Sequence, residues 1–479
     1  MKIAMIASEA NPLAKSGGLA DVVTALSVAY TKKEHEVVII MPYYKSIDAK
    51  LKEPLEHLGE LTVQFGWRHV PSDIHRTVIN GVTYYLIGNY YYFGRPSLYG
   101  YGDDGERFAF FSVAALALLE DIKFKADIVH VHDWQSAIIP TLLKNLFVGD
   151  KILGKAKTML TIHNPAFKGY LDPYFLNDFF GLDDSLYHNG HLRFEGMVST
   201  LKAGIVDADK ITTVSPTHRE ELLSDALSQG LAPILRLREA DFCGIVNGVD
   251  EDEFNPEKDP LIAKNFSVKT IAQGKNACRK AFFEKWGKED KGGPIFGLVS
   301  RLTYQKGIDL ILFAAHYTLD RGGYLAILGS GEPGLEQGLE RLREQYPDRV
   351  YLYIGYSDPL AHEIYSVSDF FLMPSLFEPC GIGQLIAEEY ASLPVARKTG
   401  GLADTVFSLD QVGEDKANGF LFEYYDGGGL AYAMYEAEKA YRKKTLFRKL
   451  QRNAMNTDNS WNKSAELYLG IYRELTGKK

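Results

Sequence analysis

The chain has 479 residues, of which 46% are apolar and 24% charged, with a formal charge of −9. That length exceeds what one hydrophobic core usually serves, so two domains are expected. The acidic balance argues against a broad nucleic-acid surface. The longest nearly apolar run, Phe108–Leu119, is too short to cross a bilayer.

Apolar β-type runs alternate with helical patterns from the start. "KIAMIAS" (2–8) reads as a buried strand, and Leu19, Val22, Val23, Leu26, Ala29 and Tyr30 then mark one face of a helix. "EVVIIMP" (36–42), "ADIVHVHDW" (126–134), "KTMLTIHN" (157–164) and "ADKITTVSP" (208–216) continue the series. The pattern restarts with "PIFGLVSRL" (294–302), "YLAILGSG", "RVYLYIGY", "SDFFLMPS" and "LPVARKTGG". Buried strands separated by helices predict parallel sheets built from βαβ units. The expected class is α/β, with two doubly wound, Rossmann-like domains. Their expected bounds are 1–243 and 244–457, followed by a helix over 458–479 that returns to the first domain. "MKIAMIASEA" is too short in its apolar run for a signal peptide. Cys243, Cys278 and Cys380 lie far apart without disulfide or zinc-like spacing. A cytoplasmic setting is therefore expected.

One seven-residue phrase occurs twice, "KSGGLAD" at 15–21 and "KTGGLAD" at 398–404, each where a strand gives way to a helix. A glycine-flanked helix start offers unpaired N–H groups and a partial positive charge to an anion. The alternative is a tight strand-to-helix turn with no ligand. "SRLTYQKG" brings Arg301 and Lys306 to the end of a predicted strand, either as a phosphate-binding pair or as solvated surface cations. Glu378 in "LFEPCGIGQL" is either a site carboxylate or a helix-initiating acid. Cys380 has no histidine near it in sequence and reads as a small buried residue. "HVHDW" places His130 and His132 on one strand face without a third ligand at metal spacing, so no metal is expected. The stretch 90–112 is dense in tyrosine and glycine. It suits either sugar stacking or a packed lid.

Taken together, "ASEANPLAKSGGLADVV", "LYGYGDDGERFAFFS", "VHDWQSA", "TIHNPAFKG", "LKAGIVDADKITTVSPT", "GIVNGVD", "SRLTYQKGIDL", "LGSGEP", "LMPSLFEPCGIGQL" and "RKTGGLADTV" resemble the bacterial glycogen synthase and plant starch synthase family, nearly end to end. The resemblance implies a GT-B fold, two Rossmann-like domains facing a deep cleft. It implies transfer of glucose from ADP-glucose to the non-reducing end of an α-1,4-glucan with retention of configuration. It carries catalytic roles onto Glu378, His163, Arg301 and Lys306. Donor contacts fall on Lys15, Gly17, Gly18, Asp21, Asn247, Tyr356, Cys380, Gly381, Ile382, Gly383, Thr399 and Gly400. Asp133 and Tyr99 become acceptor or sugar contacts. No metal and no cofactor is implied, and the partners are ADP-glucose and glucan, with no nucleic acid and no membrane. Four departures stand out. Ser16 replaces a frequent Thr, Gly383 a common Thr or Ser, "GLAPILR" (230–236) a more usual "GL[DE]GVLR", and Phe254 a common Trp. Three rival readings carry their own signs. A pyridoxal-dependent phosphorylase would show a Schiff base, and a non-catalytic glucan binder would release no ADP. A nicotinamide oxidoreductase would need the G-x-G-x-x-G that the first strand lacks.

Overall fold

The computed structural model describes residues 1–478. The chain forms two compact units, Met1–Ile245 with the helix from Trp461 onward, and Val246–Ser460. Unit one is built on nine strands. They are β1 (Lys2–Ile6), β2 (Glu36–Pro42), β3 (Glu56–Phe65), β4 (Arg68–Ile79), β5 (Val82–Gly88), β6 (Ile128–His132), β7 (Lys157–Ile162), β8 (Lys210–Thr213) and β9 (Phe242–Gly244). Their order across the sheet is β9-β8-β7-β6-β1-β2-β5-β4-β3. From β9 to β5 every pairing is parallel, whereas β4 runs antiparallel to both β5 and β3. The sheet is therefore mixed, which corrects the expectation of an all-parallel one. β3 and β4 alternate exposed with less exposed positions along much of their length and keep one face exposed, the pattern of a hairpin rather than of a doubly covered strand. A small antiparallel sheet of three strands, centred on Met197–Ser199, accompanies the large one.

The interior strands of unit one are sealed because most of their residues are apolar on both faces; β6 is buried at every position, His130 and His132 included. The helix Gly18–Lys32 lays Leu19, Val22, Val23 and Leu26 on the sheet. The last helix, Trp461–Thr476, adds Trp461, Ala465, Tyr468, Leu469 and Tyr472 to the same core. Tyr472 meets the Tyr30 ring edge-on at 5.6 Å, and its hydroxyl bonds His130 Nδ1 at 2.6 Å. Lys33 pairs with Glu466 at 2.6 Å.

Unit two has six strands, all paired in parallel: β10 (Ile295–Val299), β11 (Tyr324–Gly329), β12 (Val350–Ile354), β13 (Phe370–Met373), β14 (Leu393–Arg397) and β15 (Phe420–Phe422). Their order is β12-β11-β10-β13-β14-β15. One apolar cluster lies on each side of the sheet, around Leu298 and Leu372 on one and around Ala326 and Phe371 on the other. Among the described residues, no helix is long and apolar enough to cross a membrane.

Candidate active site

Each sheet reverses its winding once. In unit one, β1 leads outward to β2 while β6 leads the other way. In unit two, β10 and β13 diverge in the same manner. Ligands of open α/β sheets bind beyond the carboxyl ends of the strands at such a switch point. The candidate residues emerge there: 7–18 after β1, Asp133 after β6, 300–307 after β10 and 374–383 after β13.

In unit one the chain leaving β1 folds back over a carboxylate that sequence reasoning missed. Glu9 is buried, and it accepts hydrogen bonds from the Ser16 N–H, from the Ser16 hydroxyl at 2.7 Å and from the Tyr99 hydroxyl at 2.6 Å. The Tyr99 hydroxyl also bonds Ser8 Oγ at 2.8 Å. Tyr99, expected as a sugar contact, thus spends its polar atom inside the unit, bracing this loop. Lys15 pairs with Asp21 at 2.9 Å across the glycine pair. Gly17 has an extended φ of −160° and nothing within 4 Å of where a side chain would stand, and Gly18 opens the helix.

Asp133 follows β6 in a left-handed conformation, φ +53°. That conformation is costly for a residue with a side chain, and such residues cluster at functional sites. Its carboxylate accepts from the His163 N–H at 2.7 Å and the Asn164 N–H at 3.2 Å. Burial pushes its pKa up to about 7 despite those two donors. His163, at the end of β7, has its pKa lowered to about 3 by burial, so it stays neutral. Its Nε2 lies 3.0 Å from His132 Nδ1, and the His132 ring stacks at 4.2 Å on His130, whose own pKa burial lowers to about 3. The three histidines are thus a neutral row, buried at His130 and His132 and half-buried at His163, that fixes the orientation of His163.

In unit two, Glu378 sits at the centre. It is 7% exposed, and its carboxylate accepts from Lys306 Nζ at 2.5 Å and from the Ser375 hydroxyl at 2.9 Å. Lys306 lies in a short 3₁₀ turn, Tyr304–Lys306, rather than in the following helix. Gly307 ends that turn at φ +74°, and a Cβ there would lie 2.1 Å from the Pro374 carbonyl oxygen. Only glycine lets the cationic loop sit directly on the chain leaving β13. The two loops are then zipped together. The Leu376 N–H donates to the Gln305 carbonyl at 2.8 Å, and the Gln305 side-chain nitrogen donates to the Phe377 carbonyl at 3.3 Å, while within its own loop an Arg301 nitrogen donates to the Gln305 side chain at 3.2 Å. Arg397, also missed from the sequence, donates to the carbonyls of Ser375, at 2.8 Å, and Leu376.

Cys380 is buried, receives the Asn247 N–H on its sulfur at 3.4 Å, and has its thiol pushed up to about 12 by burial. It is an inert packing residue. Asn247 Oδ1 is buried without a hydrogen-bond partner among the described residues. Gly381 adopts φ +74°, Ile382 caps the helix that Gly383 opens, and Gln384 ties this turn to the Cys380 and Gly381 carbonyls. Tyr356 is 84% exposed.

The second copy of the repeated phrase does something the first does not. Thr399 is buried, and Gly400 adopts φ +44°. A Cβ on Gly400 would stand 2.0 Å from the Glu378 carbonyl oxygen, and one on Gly401 would stand 2.1 Å from that of Cys380. The Gly401 N–H donates to the Glu378 carbonyl at 3.1 Å. These glycines let the backbone press against the Glu378–Cys380 loop and hold it. The same words therefore form an open loop in unit one and a packed strap in unit two.

The sequence profile described as "Starch synthase catalytic domain" matches residues 2–237, and that described as "Glycosyl transferases group 1" matches residues 293–438. The chain is 41% identical to the glycogen synthase of Clostridium beijerinckii over 481 aligned positions, covering 100% of both chains. It is 43% identical to that of Clostridium perfringens, covering 99% of this chain and 98% of the other. The solved catalytic domain of starch synthase IV from Arabidopsis thaliana, bound to ADP and acarbose, superposes with a TM-score of 0.91 at 35% identity, covering 99% of each chain. The chain belongs to the glycogen and starch synthase family, and its activity is glucan synthesis by glycosyl transfer on a GT-B fold.

Proposed function

We propose that the protein transfers glucose from ADP-glucose to the non-reducing 4-hydroxyl of an α-1,4-glucan, with retention at the anomeric carbon. The observation that carries this reading is the buried Glu378–Lys306 pair at the switch point of unit two, with Arg301 on the same loop as the lysine. The C1–O bond to the diphosphate breaks, the C1–O4 bond forms, and the acceptor proton passes to a leaving phosphate oxygen. Negative charge therefore develops on the diphosphate. In unit two Lys306 and Arg301 neutralise it, and in unit one Lys15 with the open amides at Gly17 and Gly18 offers a second loop suited to an anion. Asp21, paired with Lys15, orients it.

Glu378 holds sugar hydroxyls. Its carboxylate is already engaged by Lys306 and Ser375, which favours front-side attack over a covalent glycosyl intermediate, for which a second nearby carboxylate would be required. His163, held neutral, acts as a hydrogen-bonding group near the anomeric carbon, with Asp133 supporting its backbone. Tyr356 packs on the base. Asn247 and the 380–383 turn contact the sugar and phosphate. Thr399 and Gly400 act from behind, by seating the Glu378 loop. No cofactor is needed, because cationic side chains do what a metal would do for the leaving group. The three cysteines, free of disulfides in the structure, suit the cytoplasm, where nucleotide sugars are made.

One assay tests the reading: ADP-glucose against UDP-glucose, with and without glycogen, in EDTA. Nucleotide release coupled to glucan growth, faster with ADP-glucose and unaffected by the chelator, is expected. Release without glucan growth, a preference for UDP-glucose, or loss of transfer in EDTA would overturn the corresponding part.

A further inference from the structure

A second polar constellation in unit two lies apart from the catalytic groups. Asp259 is fully enclosed, 2% exposed. Its Oδ1 accepts the Leu261 N–H at 2.8 Å, and its Oδ2 accepts from Tyr390 at 2.5 Å and from His362 Nδ1 at 2.8 Å. With three donors converging on one carboxylate, the proton of the His362 ring is fixed on Nδ1. The ring itself is 2% exposed and lies flat on Phe254, centroids 4.7 Å apart. Its other nitrogen, Nε2, is buried and has no hydrogen-bond partner among the described residues. A buried polar atom left unmatched is costly and calls for an explanation.

The atoms facing Nε2 are carboxylate oxygens. Asp358 stands one turn before His362 on the helix Asp358–Val367, with Oδ1 at 4.0 Å from Nε2. Glu253 comes from the turn at 250–254. One ligand atom from each of Glu253, Asp358 and His362 lies within 4.8 Å of the other two. Both carboxylates belong to exposed residues, whereas the histidine is buried.

We propose that Glu253, Asp358 and His362 bind one divalent cation of the zinc type, with water completing the shell. An imidazole and two carboxylates form a donor set suited to Zn²⁺, at bonds of about 2.0–2.2 Å. Tetrahedral ligands at that length stand roughly 3.4 Å apart, so the Asp358 oxygen, 4.0 Å from Nε2, must close by about 0.6 Å and the Glu253 oxygen, within 4.8 Å, by up to about 1.4 Å. Asp259 then plays the outer role, receiving the far N–H of a ligating histidine and fixing its tautomer. The ion cross-links the 250–254 turn to the first turn of the helix at 358. It takes no part in glucosyl transfer. The competing account is that His362 is an imidazolium flanked by carboxylates, which would repel a cation. No local spacing points to this cluster, since Glu253 and Asp358 lie in different segments with no metal spacing between them.

The test uses the full chain, stripped with EDTA and desalted, then titrated with ZnCl₂ by calorimetry and with CoCl₂ by visible absorption. One Zn²⁺ per chain, a raised Tm, and a Co²⁺ band typical of low-coordinate nitrogen and oxygen ligation are expected. Asp358→Asn and Glu253→Gln, both at exposed positions that leave the core intact, should each weaken that Zn²⁺ site at least tenfold with kcat unchanged. No uptake at 100-µM-scale Zn²⁺ would establish the imidazolium account. Uptake equal in wild type and both variants would place the zinc on other histidines. Either result overturns the proposal.

Discussion

Replacing Lys306 by Ala separates two jobs that one side chain performs. Lys306 Nζ stands 2.5 Å from Glu378, with side-chain exposures of 18% and 9%. Its removal leaves a buried carboxylate whose remaining side-chain partner among the described residues is the Ser375 hydroxyl, and breaking such a pair costs about 3 kcal/mol, the lower end of the range because the site is not wholly dry. If Lys306 also stabilises the leaving diphosphate, its loss takes about 2.7–4 kcal/mol from the transition state, as for other preorganised donors. At 1.36 kcal/mol per decade that is about 10²–10³ in kcat. Adding Glu378→Gln on top of Lys306→Ala removes the stranded charge. The double variant should regain most of the lost stability in urea unfolding while remaining at least a hundredfold slow in ADP release at saturating donor and glycogen. A kcat within tenfold of wild type for Lys306→Ala would refute the catalytic role. Recovery of rate together with stability in the double variant would show that the lysine acts only through Glu378.

The two glycine pairs should respond oppositely. Gly400→Ala forces a Cβ to within 2.0 Å of the Glu378 carbonyl at φ +44°, so a loss of more than about 2 kcal/mol and a fall in kcat are expected. Gly17→Ala, with extended backbone and open space around it, should change Tm by no more than a degree or two; a larger drop would mean the loop is packed. Asp133 gives a pH signature. Its pKa rises from 3.8 to about 7 on folding, so the folded state holds the proton more tightly, and the stability this confers is full below 3.8 and lost as pH climbs through 7. Asp133→Asn keeps an acceptor for both N–H donors and cannot ionise. The variant should match wild type near pH 4 and exceed it, by an amount on the order of a few kcal/mol, near pH 8. A pH-independent difference in urea midpoint would refute the assignment.

The sheets were legible where a strand is covered on both faces. β10 and β13 are unbroken apolar runs, β1 is apolar after Lys2, and β6 breaks its apolar run only with His130 and His132, because helices seal these strands above and below. The hairpin β3–β4 was not, because these strands keep one face wet and mix polar and charged residues, Gly59 and Pro71 with few apolar ones, so that they resemble loop. The site was legible as words but not as contacts. Glu378 and Lys306 are 72 positions apart, and they meet because β10 and β13 are neighbours in the sheet, a fact of winding order that no local spacing carries. Glu9 was passed over for the same reason, since only the fold of the loop turns it back onto Ser16. The two copies of the repeated phrase are indistinguishable as text. Their difference lies in what stands beside each glycine.

Unit one is encoded in two pieces. Its core admits Trp461, Ala465, Tyr468, Leu469 and Tyr472, and Tyr472 supplies the polar partner of the sealed His130. During translation the first 245 residues therefore emerge without the helix that closes them, and wait for all of unit two to be made. Over that interval the apolar flank of the helix Gly18–Lys32 is bare, and the nascent chain is a natural client for chaperones. A fragment stopping at residue 460 should inherit that exposure permanently and partition into inclusion bodies; a soluble, cooperatively melting fragment would show the closing helix to be dispensable.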